Sequence, residues 1–388
     1  MECPRYRLLD KSLNLHLTYD NQFIDFIIDA AEDLGHHDRF IVYTNEHKPK
    51  LESVKHDVPF AQFDSEEFRI LVGDVHQYKN IYIHWLEGRV VEFVNTLPHD
   101  IKVIWCFWGG DGLEFESLLP WVYQPKSYTY FRIHEGFKIA EWKNLRTYLY
   151  RKRMKKVHTA EHIRAIKRVD YFAHYLPDDF EKIRKVTGMT AQFIPFHYAA
   201  LEDLVNMSIP AAIQTGSNIL LGNSDTLTNN HMEAIDRLSL LNLGDRKIYC
   251  PLSYEKGRYA NHVATYGRKQ LGDSFIPMLD FLPREEYNKV LRGISVAVMN
   301  HNRSQALGNI VSLLWSGTRL YMSHDSTLWS YLKSEGFVVF SIQDDLNDGN
   351  PHVFEPLGLE DVINNRDALM RSFGRKAQLE KIHNMLEL

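Results

Sequence analysis

Two segments in the second half of the chain place glycine, small polar residues and a helix start directly after an apolar run. The first is Ile219-Leu220-Leu221-Gly222-Asn223-Ser224, which passes through Asp225–Thr228 into Asn229-Asn230-His231 at the opening of a helix. Free N–H groups at a helix start, backed by the helix dipole, suit an anionic phosphate. A plain cap by Thr228 or Asn229 explains the same residues without a ligand. The second is Arg303-Ser304-Gln305-Ala306-Leu307-Gly308-Asn309, between the run Ser295–Met299 and an apolar helix that ends at Gly317. Arg303 can neutralise phosphate charge, and backbone N–H groups near Gly308 add donors. A solvated loop arginine beside a turn glycine is the blander alternative. Two such loops in one half of the chain lead us to expect diphosphate binding. Neither is a Walker A loop or a GxGxxG fingerprint, because the lysine and the extra glycines are missing, and this speaks against kinases and dehydrogenases.

Between the loops stands Asp280-Phe281-Leu282-Pro283-Arg284-Glu285-Glu286-Tyr287. Pro283 starts a helix, so Phe281 is either a ring for stacking on a base or a hydrophobic staple at the helix entrance. In the first half, Lys102–Phe107 runs into Trp108-Gly109-Gly110-Asp111-Gly112. A carboxylate on a tight exposed turn is a reasonable general base for an acceptor hydroxyl, and a simple Asp-Gly turn is the alternative. His84 closes the run Asn80–His84, and His134 precedes Glu135; both are candidates to face the same cleft as Asp111. His36-His37 reads as a polar connection. We find no metal motif: HExxH is absent, and no DxD stands at a strand end. Asp178-Asp179 and Asp344-Asp345 read as caps, and no GxSxG elbow is present.

The segment Lys138–Arg168 holds eleven Lys or Arg against two Glu, together with Trp142, Tyr148, Leu149 and Tyr150. Basic residues interleaved with aromatics suit an anionic membrane surface or a pyrophosphate head group. RNA binding and a solvated basic helix are the other readings.

The elements that must carry these residues follow a βαβ rhythm, the mark of parallel sheets. In the first half, Leu13–Leu17, Phe40–Tyr43, Asn80–His84 and Lys102–Trp108 read as strands, with a helix over Gln22–Leu34. Nearly all-apolar runs of this length belong to strands buried on both faces. The second half repeats the pattern with strands Asn218–Leu221, Lys247–Cys250, Ser274–Met278, Ser295–Met299, Thr318–Met322 and Val338–Phe340. Its helices fall at Asn230–Leu241, Arg284–Arg292, Leu307–Ser316 and Thr327–Glu335, and Leu359–Leu386 is helical and charged. The expected fold is α/β, with two Rossmann-like doubly wound domains facing a cleft. The expected boundaries are 1–196 for an N-terminal domain, 197–217 for a linker, 218–358 for a C-terminal domain and 359–388 for helices that cross back to the N-terminal domain.

Length and composition fit that scheme. A chain of 388 residues with 44% hydrophobic and 24% charged residues is an ordinary soluble protein of two or three domains. A net charge of −5 speaks against global nucleic-acid binding. Three scattered cysteines support neither a disulfide framework nor a zinc knuckle. With no apolar run behind the N-terminus and none long enough to span a bilayer, a cytoplasmic protein is expected, held to a membrane only through its surface.

Strand, loop, glycine and helix, with Ser316-Gly317-Thr318 near the end, resemble the C-terminal domain of GT-B glycosyltransferases. In the commonest such families a Glu stands three residues before the glycine and another four after it. Here those places hold Gln305 and Ser312, which points away from the large retaining families. The chain is also similar to the transferases that add 4-acetamido-4,6-dideoxygalactose (Fuc4NAc) to a lipid-linked saccharide in enterobacterial common antigen synthesis. The matching pieces are Leu15–Ile28, Trp108–Asp111, Leu220–Ser224 with Asn230-His231, Pro251–Tyr254, and Arg303–Gly308. The resemblance implies a dTDP-sugar donor, no metal or other cofactor, and an undecaprenyl-pyrophosphate saccharide acceptor at the inner leaflet. An acceptor of that kind gives the basic 138–168 segment a purpose.

On this reading Gly222, Asn223, Ser224, Asn230, Tyr254, Phe281, Arg303, Gln305, Gly308 and Asn309 hold the nucleoside diphosphate. Asp111 is the favoured base, with His84 and His134 beside it, and no nucleic acid is expected. Two rivals remain from sequence alone: a nucleotide-sugar epimerase on the same scaffold, and a non-catalytic two-domain binder.

Overall fold

The computed structural model describes residues 13–48, 50–113, 115, 117–136, 160–253 and 257–388. They divide into two compact units, each built on one parallel sheet. The first unit takes in residues up to Gly112, the described part of 153–200, and Arg375–Leu388. Its strands are β1 (Leu13–Tyr19), β2 (Arg39–Thr44), β3 (Phe60–Gln62), β4 (Tyr78–Ile83), β5 (Lys102–Cys106), β6 (Tyr171–His174) and β7 (Gln192–Pro195). They lie in the order β3-β2-β1-β4-β5-β6-β7. Every paired neighbour is parallel. The apolar runs form these strands because both faces of the sheet are covered: Leu15, Leu17, Ile81, Ile83, Val103 and Trp105 on one face, and Tyr82 and Ile104 on the other, are wholly buried. Each such side chain contributes about 1.5–3 kcal/mol of transfer free energy.

The second unit holds β8 (Asn218–Leu221), β9 (Ile248–Pro251), β10 (Phe275–Met278), β11 (Ile294–Met299), β12 (Arg319–Met322) and β13 (Phe340–Ser341). Their order is β10-β9-β8-β11-β12-β13, again all parallel. All six residues of β11 are buried. In this order the strand sequence reverses between β8 and β11. That switch point is where an open α/β sheet leaves a crevice beyond its carboxyl ends.

The unit boundaries differ from the expected ones in three places. The described residues after Gly112, up to 136, pack with the second unit rather than with the 1–196 half. Tyr130 joins the core of Ile219, Met232, Ile235 and Val296 there. Ser127 fastens its N–H and hydroxyl to the Glu233 carboxylate, both at 2.8 Å. The 197–217 stretch is divided at Ala200/Leu201, and its latter part is tied to the second unit. Arg366 donates to the carbonyls of Ile209 and Pro210, and Trp315 donates to that of Asn206. Finally, the helical tail is two helices, Leu359–Phe373 in the second unit and Arg375–Leu386 in the first. Gly374 sits between them with extended backbone (φ −63°, ψ 160°), and a Cβ there would lie 2.5 Å from the Met370 carbonyl oxygen.

Among the described residues no helix is long and apolar enough to cross a membrane. Of the basic segment Lys138–Arg168, only the helix Ala160–Arg168 falls within the described residues; it buries His162, Ala165 and Ile166.

Candidate functional site

The loops that leave β8 and β11 are adjacent because their strands are paired, and side chains lock them together. Thr228 donates its hydroxyl to Gln305 Oε1 at 2.6 Å, and Gln305 Nε2 reaches Asn223 Oδ1 at 3.5 Å. Asn229 Nδ2 donates to Ser224 O and to Thr226 Oγ1, which shapes the turn after Gly222. Gly222 has φ +68°, and a Cβ there would stand 2.8 Å from His231 Nε2. Only glycine meets both demands, the left-handed backbone and the close approach.

Asn230 is expected to touch the donor, and the structure gives it different work. Its side chain is fully buried, with the backbone in the left-handed region (φ +49°). Nδ2 donates to Val122 O and Asn300 O, and Oδ1 accepts from Gln124 N. Both ends of the amide are thereby committed to joining the 122–124 segment to the two loops. Gln124 and Asn300 complete the knot with a reciprocal amide pair at 2.9 and 3.0 Å.

The β11 loop carries the chemistry that remains open. His301 is fully buried and its Nδ1 lies 3.2 Å from Arg303 O. A carbonyl only accepts, so Nδ1 bears the proton and Nε2 is a bare acceptor. Burial first, and the neighbouring Arg303 charge second, push His301 down to about 4. It is therefore neutral at physiological pH. Among the described residues, His301 Nε2, Arg303 Nε and Ser304 Oγ have no hydrogen-bond partner, although all three atoms are buried. Ser326 Oγ and Thr327 Oγ1 are also unpaired, at the start of the Thr327–Ser334 helix after β12. That helix start is joined to the same loop by Thr327 N–H donating to Asn302 O. Buried polar groups normally find partners in protein, water or a bound ligand, so these atoms are candidates for a ligand contact.

Arg303 itself is half-buried and Nη1 donates to Ser304 O at 3.2 Å. The Leu307–Trp315 helix opens behind it from Ala306, a non-glycine residue at φ +59°. Strain of that kind gathers at functional turns. Gly308 lies in the first turn of this helix, with Asn309 exposed beside it.

The other expected residues fall elsewhere. Phe281 is 75% exposed, so it is not a staple packed at the helix entrance, and its ring faces solvent. Tyr254 lies outside the described residues. His134 belongs to the second unit, not the first; it is exposed and its ring lies 4.2 Å from that of Tyr130.

Asp111 is 1% exposed, against the exposed turn expected of a base. Trp105 Nε1 and Leu86 N donate to Oδ2 at 2.7 and 3.2 Å, and Trp108 N donates to Oδ1 at 3.0 Å. Burial raises its carboxyl above the ordinary value, and these donors oppose the rise. The carboxylate fastens the turn after β5 to the end of β4. The glycines serve packing here: a Cβ at Gly112 would meet the Trp105 and Phe107 rings at 2.8 and 2.9 Å.

His84 is likewise enclosed, not facing a cleft. It belongs to a buried chain in which Tyr198 OH lies 2.8 Å from His84 Nδ1, His84 Nε2 lies 3.0 Å from His16 Nδ1, and His16 Nε2 lies 3.2 Å from Asp38. With Asp38 ionised, each link has one direction, from the Tyr198 hydroxyl through both imidazoles to the carboxylate. Burial first and His16 second hold His84 well below its usual range.

The model of the family described as 4-alpha-L-fucosyltransferase, glycosyl transferase group 56, matches residues 163–353. Two solved structures align over nearly the whole of both chains. Sucrose-phosphate synthase from Thermosynechococcus elongatus is 11% identical, covers 97% of this chain and 98% of its own, and has a TM-score of 0.60. A glycosyltransferase from Rickettsia africae ESF-5 is 10% identical with the same coverage and a TM-score of 0.58. The chain has the GT-B fold. It resembles group 56 over a stretch that includes both loops of the switch point.

Sequence reasoning missed His301, Ser304, Ser326 and Thr327. A signal for the first two was present: Asn300–Gln305 is six consecutive polar residues directly after a fully buried strand. Ser326 and Thr327 stand at the start of the helix read from sequence as Thr327–Glu335, with no further mark.

Proposed function

We propose that this chain moves a deoxy-amino sugar, such as Fuc4NAc, from a dTDP donor to an undecaprenyl-pyrophosphate-linked saccharide. The observation that carries the donor half is the cluster of buried, unpaired polar atoms at the switch point of the second sheet. Arg303, the N–H groups that open the Leu307–Trp315 helix, and Ser304 meet the diphosphate. As the sugar–phosphate bond breaks, negative charge grows on the departing diphosphate, and fixed donors aimed there lower the barrier without a divalent ion. Gly222, Asn223 and Ser224 line the other side. Asn230 and Gln305 hold the two loops in register and touch the donor only through them. Neutral His301 presents Nε2 as an acceptor for a donor hydroxyl or amide N–H.

Asp111 positions the Trp108–Gly110 turn. The acceptor binds through the first unit, and the basic 138–168 segment draws the protein to an anionic membrane face in the cytoplasm.

Thermal unfolding with dTDP, UDP and GDP, each with and without magnesium, tests the donor half. A ligand that binds only the folded state raises its midpoint. We expect dTDP to stabilise the protein equally in both conditions. Stabilisation only with magnesium, or by none of the three, overturns the reading. Transfer of labelled sugar to a lipid-linked acceptor tests the rest, and isomerisation of the donor without acceptor identifies an epimerase instead.

A further inference from the structure

The first unit carries a second cluster of chemistry far from the switch-point loops in sequence. His36, in the connection before β2, meets His383 and Glu387 at the end of the Arg375–Leu386 helix. One ligand atom from each of the three lies within 4.8 Å of the others. We propose that these three residues bind one divalent transition-metal ion of the zinc class, which pins the C-terminal helix to the first unit.

Five observations carry this. The donor set is two imidazoles and a carboxylate, the mixture that suits zinc and its neighbours rather than magnesium or calcium. His36 Nε2 stands 3.4 Å from Glu387 Oε1. Bonds of about 2.0–2.1 Å meeting at a tetrahedral angle put two ligand atoms about 3.3 Å apart, so this pair already has the spacing of a tetrahedral edge. His383 and Glu387 share one face of the helical end, since Glu387 N–H donates to His383 O at 3.0 Å. The rings of His36 and His383 cross at 67° with centroids 6.4 Å apart, which leaves their nitrogen edges free to converge. Finally, the carbonyls of a helix C-terminus favour a cation.

The backbone there is held before any ion arrives. Tyr82 OH donates to Met385 O at 2.7 Å, Asn14 to Leu386 O at 3.4 Å, and Lys79 to Glu387 O at 3.4 Å. Only side-chain rotations are needed to close three ligands on an ion, with water in the fourth position. His383 and Glu387 are exposed and His36 is half-buried, so the ion can enter from solvent. Its role is structural. The helix it pins leaves the second unit at Gly374, and Gln378 of that helix donates to the carbonyl of Tyr198.

The test is zinc binding by tag-free full-length protein, read by competition with a chromophoric chelator, together with the visible spectrum of the cobalt-loaded protein. We expect one equivalent per chain and the intense bands of four-coordinate cobalt. His36→Ala and His383→Ala should each weaken binding at least about tenfold, and removing a ligand should exceed the 10–100-fold typical of outer-shell changes. Zinc should raise the unfolding midpoint of the parent and leave that of His383→Ala unmoved. All three residues lie at the surface, so the metal-free variants should match the metal-free parent in midpoint. Absence of saturable binding, equal binding by both variants, or a six-coordinate cobalt spectrum overturns the proposal. None of these readouts depends on sugar transfer.

Discussion

Replacing Asp111 by asparagine separates a catalytic base from a structural carboxylate. A base presented to an acceptor would tolerate the change in stability and lose transfer outright. The observed carboxylate accepts three hydrogen bonds while 1% exposed. Asparagine can turn its one oxygen toward Trp105 Nε1 and Leu86 N, which share Oδ2, but its NH₂ then confronts the Trp108 N–H. One charge-assisted bond, worth about 1.5–3 kcal/mol, is replaced by a donor facing a donor. The raised carboxyl pKa shows that ionisation here is opposed by burial, so removing the charge returns part of that loss. The balance is about 2 kcal/mol of destabilisation. At about 2–4 °C per kcal/mol for units of this size, the midpoint of the first unit falls by about 4–8 °C. Asp111→Ala strands all three donors and should cost about twice as much. The assay is thermal unfolding of both variants alongside transfer at a temperature where each is folded. We expect residual transfer in Asp111→Asn and a graded loss of midpoint. An unshifted midpoint with transfer abolished in both variants refutes the positioning role and restores Asp111 as the base.

The second unit offers three further tests. Arg303→Ala should weaken dTDP binding by about 10–100-fold, the equivalent of a charged hydrogen bond of about 1.5–3 kcal/mol, with the midpoint unmoved; titration calorimetry reads both affinity and stoichiometry. Gly222→Ala combines a left-handed φ of +68° with a Cβ 2.8 Å from His231 Nε2, so it should lower the midpoint by several degrees and weaken dTDP binding together. Acid should destabilise this unit ahead of the carboxylates. Burial pushes His231 down to about 3, while burial and Arg303 push His301 down to about 4. In the unfolded chain each takes up its proton near pH 6.5, so the unfolded state binds more protons below that value. Stability is therefore fully present above about pH 6.5 and falls by about 1.4 kcal/mol per pH unit per histidine until the folded values are reached. Chemical denaturation from pH 7 to 4.5 should show this slope, and His301→Gln should flatten it.

The two sheets were legible in the sequence because their strands are buried on both faces and so appear as unbroken apolar runs. β11 and the runs at Asn218–Leu221 and Lys102–Cys106 needed no further information. β3, β6 and β7 were not legible: Phe60–Gln62 has three residues, and Gln192–Pro195, at the sheet edge, is exposed at both ends with only Ile194 buried. The loops of the switch point were found by type, since glycine and a helix start after a strand report local geometry. The work done by each residue in them was not, because it depends on partners distant in sequence.

Asn230 shows the difference. Its position at a helix opening suggests a phosphate contact, yet its amide is consumed by Val122, Gln124 and Asn300, two of which come from a segment assigned by sequence to the other half of the chain. Asp111 fails in the same direction: a turn carboxylate reads as exposed until the indole of Trp105 is found 2.7 Å away. Both errors arise where a polar side chain is spent inside the fold. The reverse case is His301, marked in sequence only by the polar run Asn300–Gln305. It is one of the groups left over among the described residues when the internal hydrogen bonds of the β11 loop have been drawn, with a buried nitrogen and nothing to accept from. Asn230 and Gln305, easy to propose from sequence, thus hold the switch-point loops together, and His301, Arg303 and Ser304 carry the buried polar atoms that the described residues leave without a partner there.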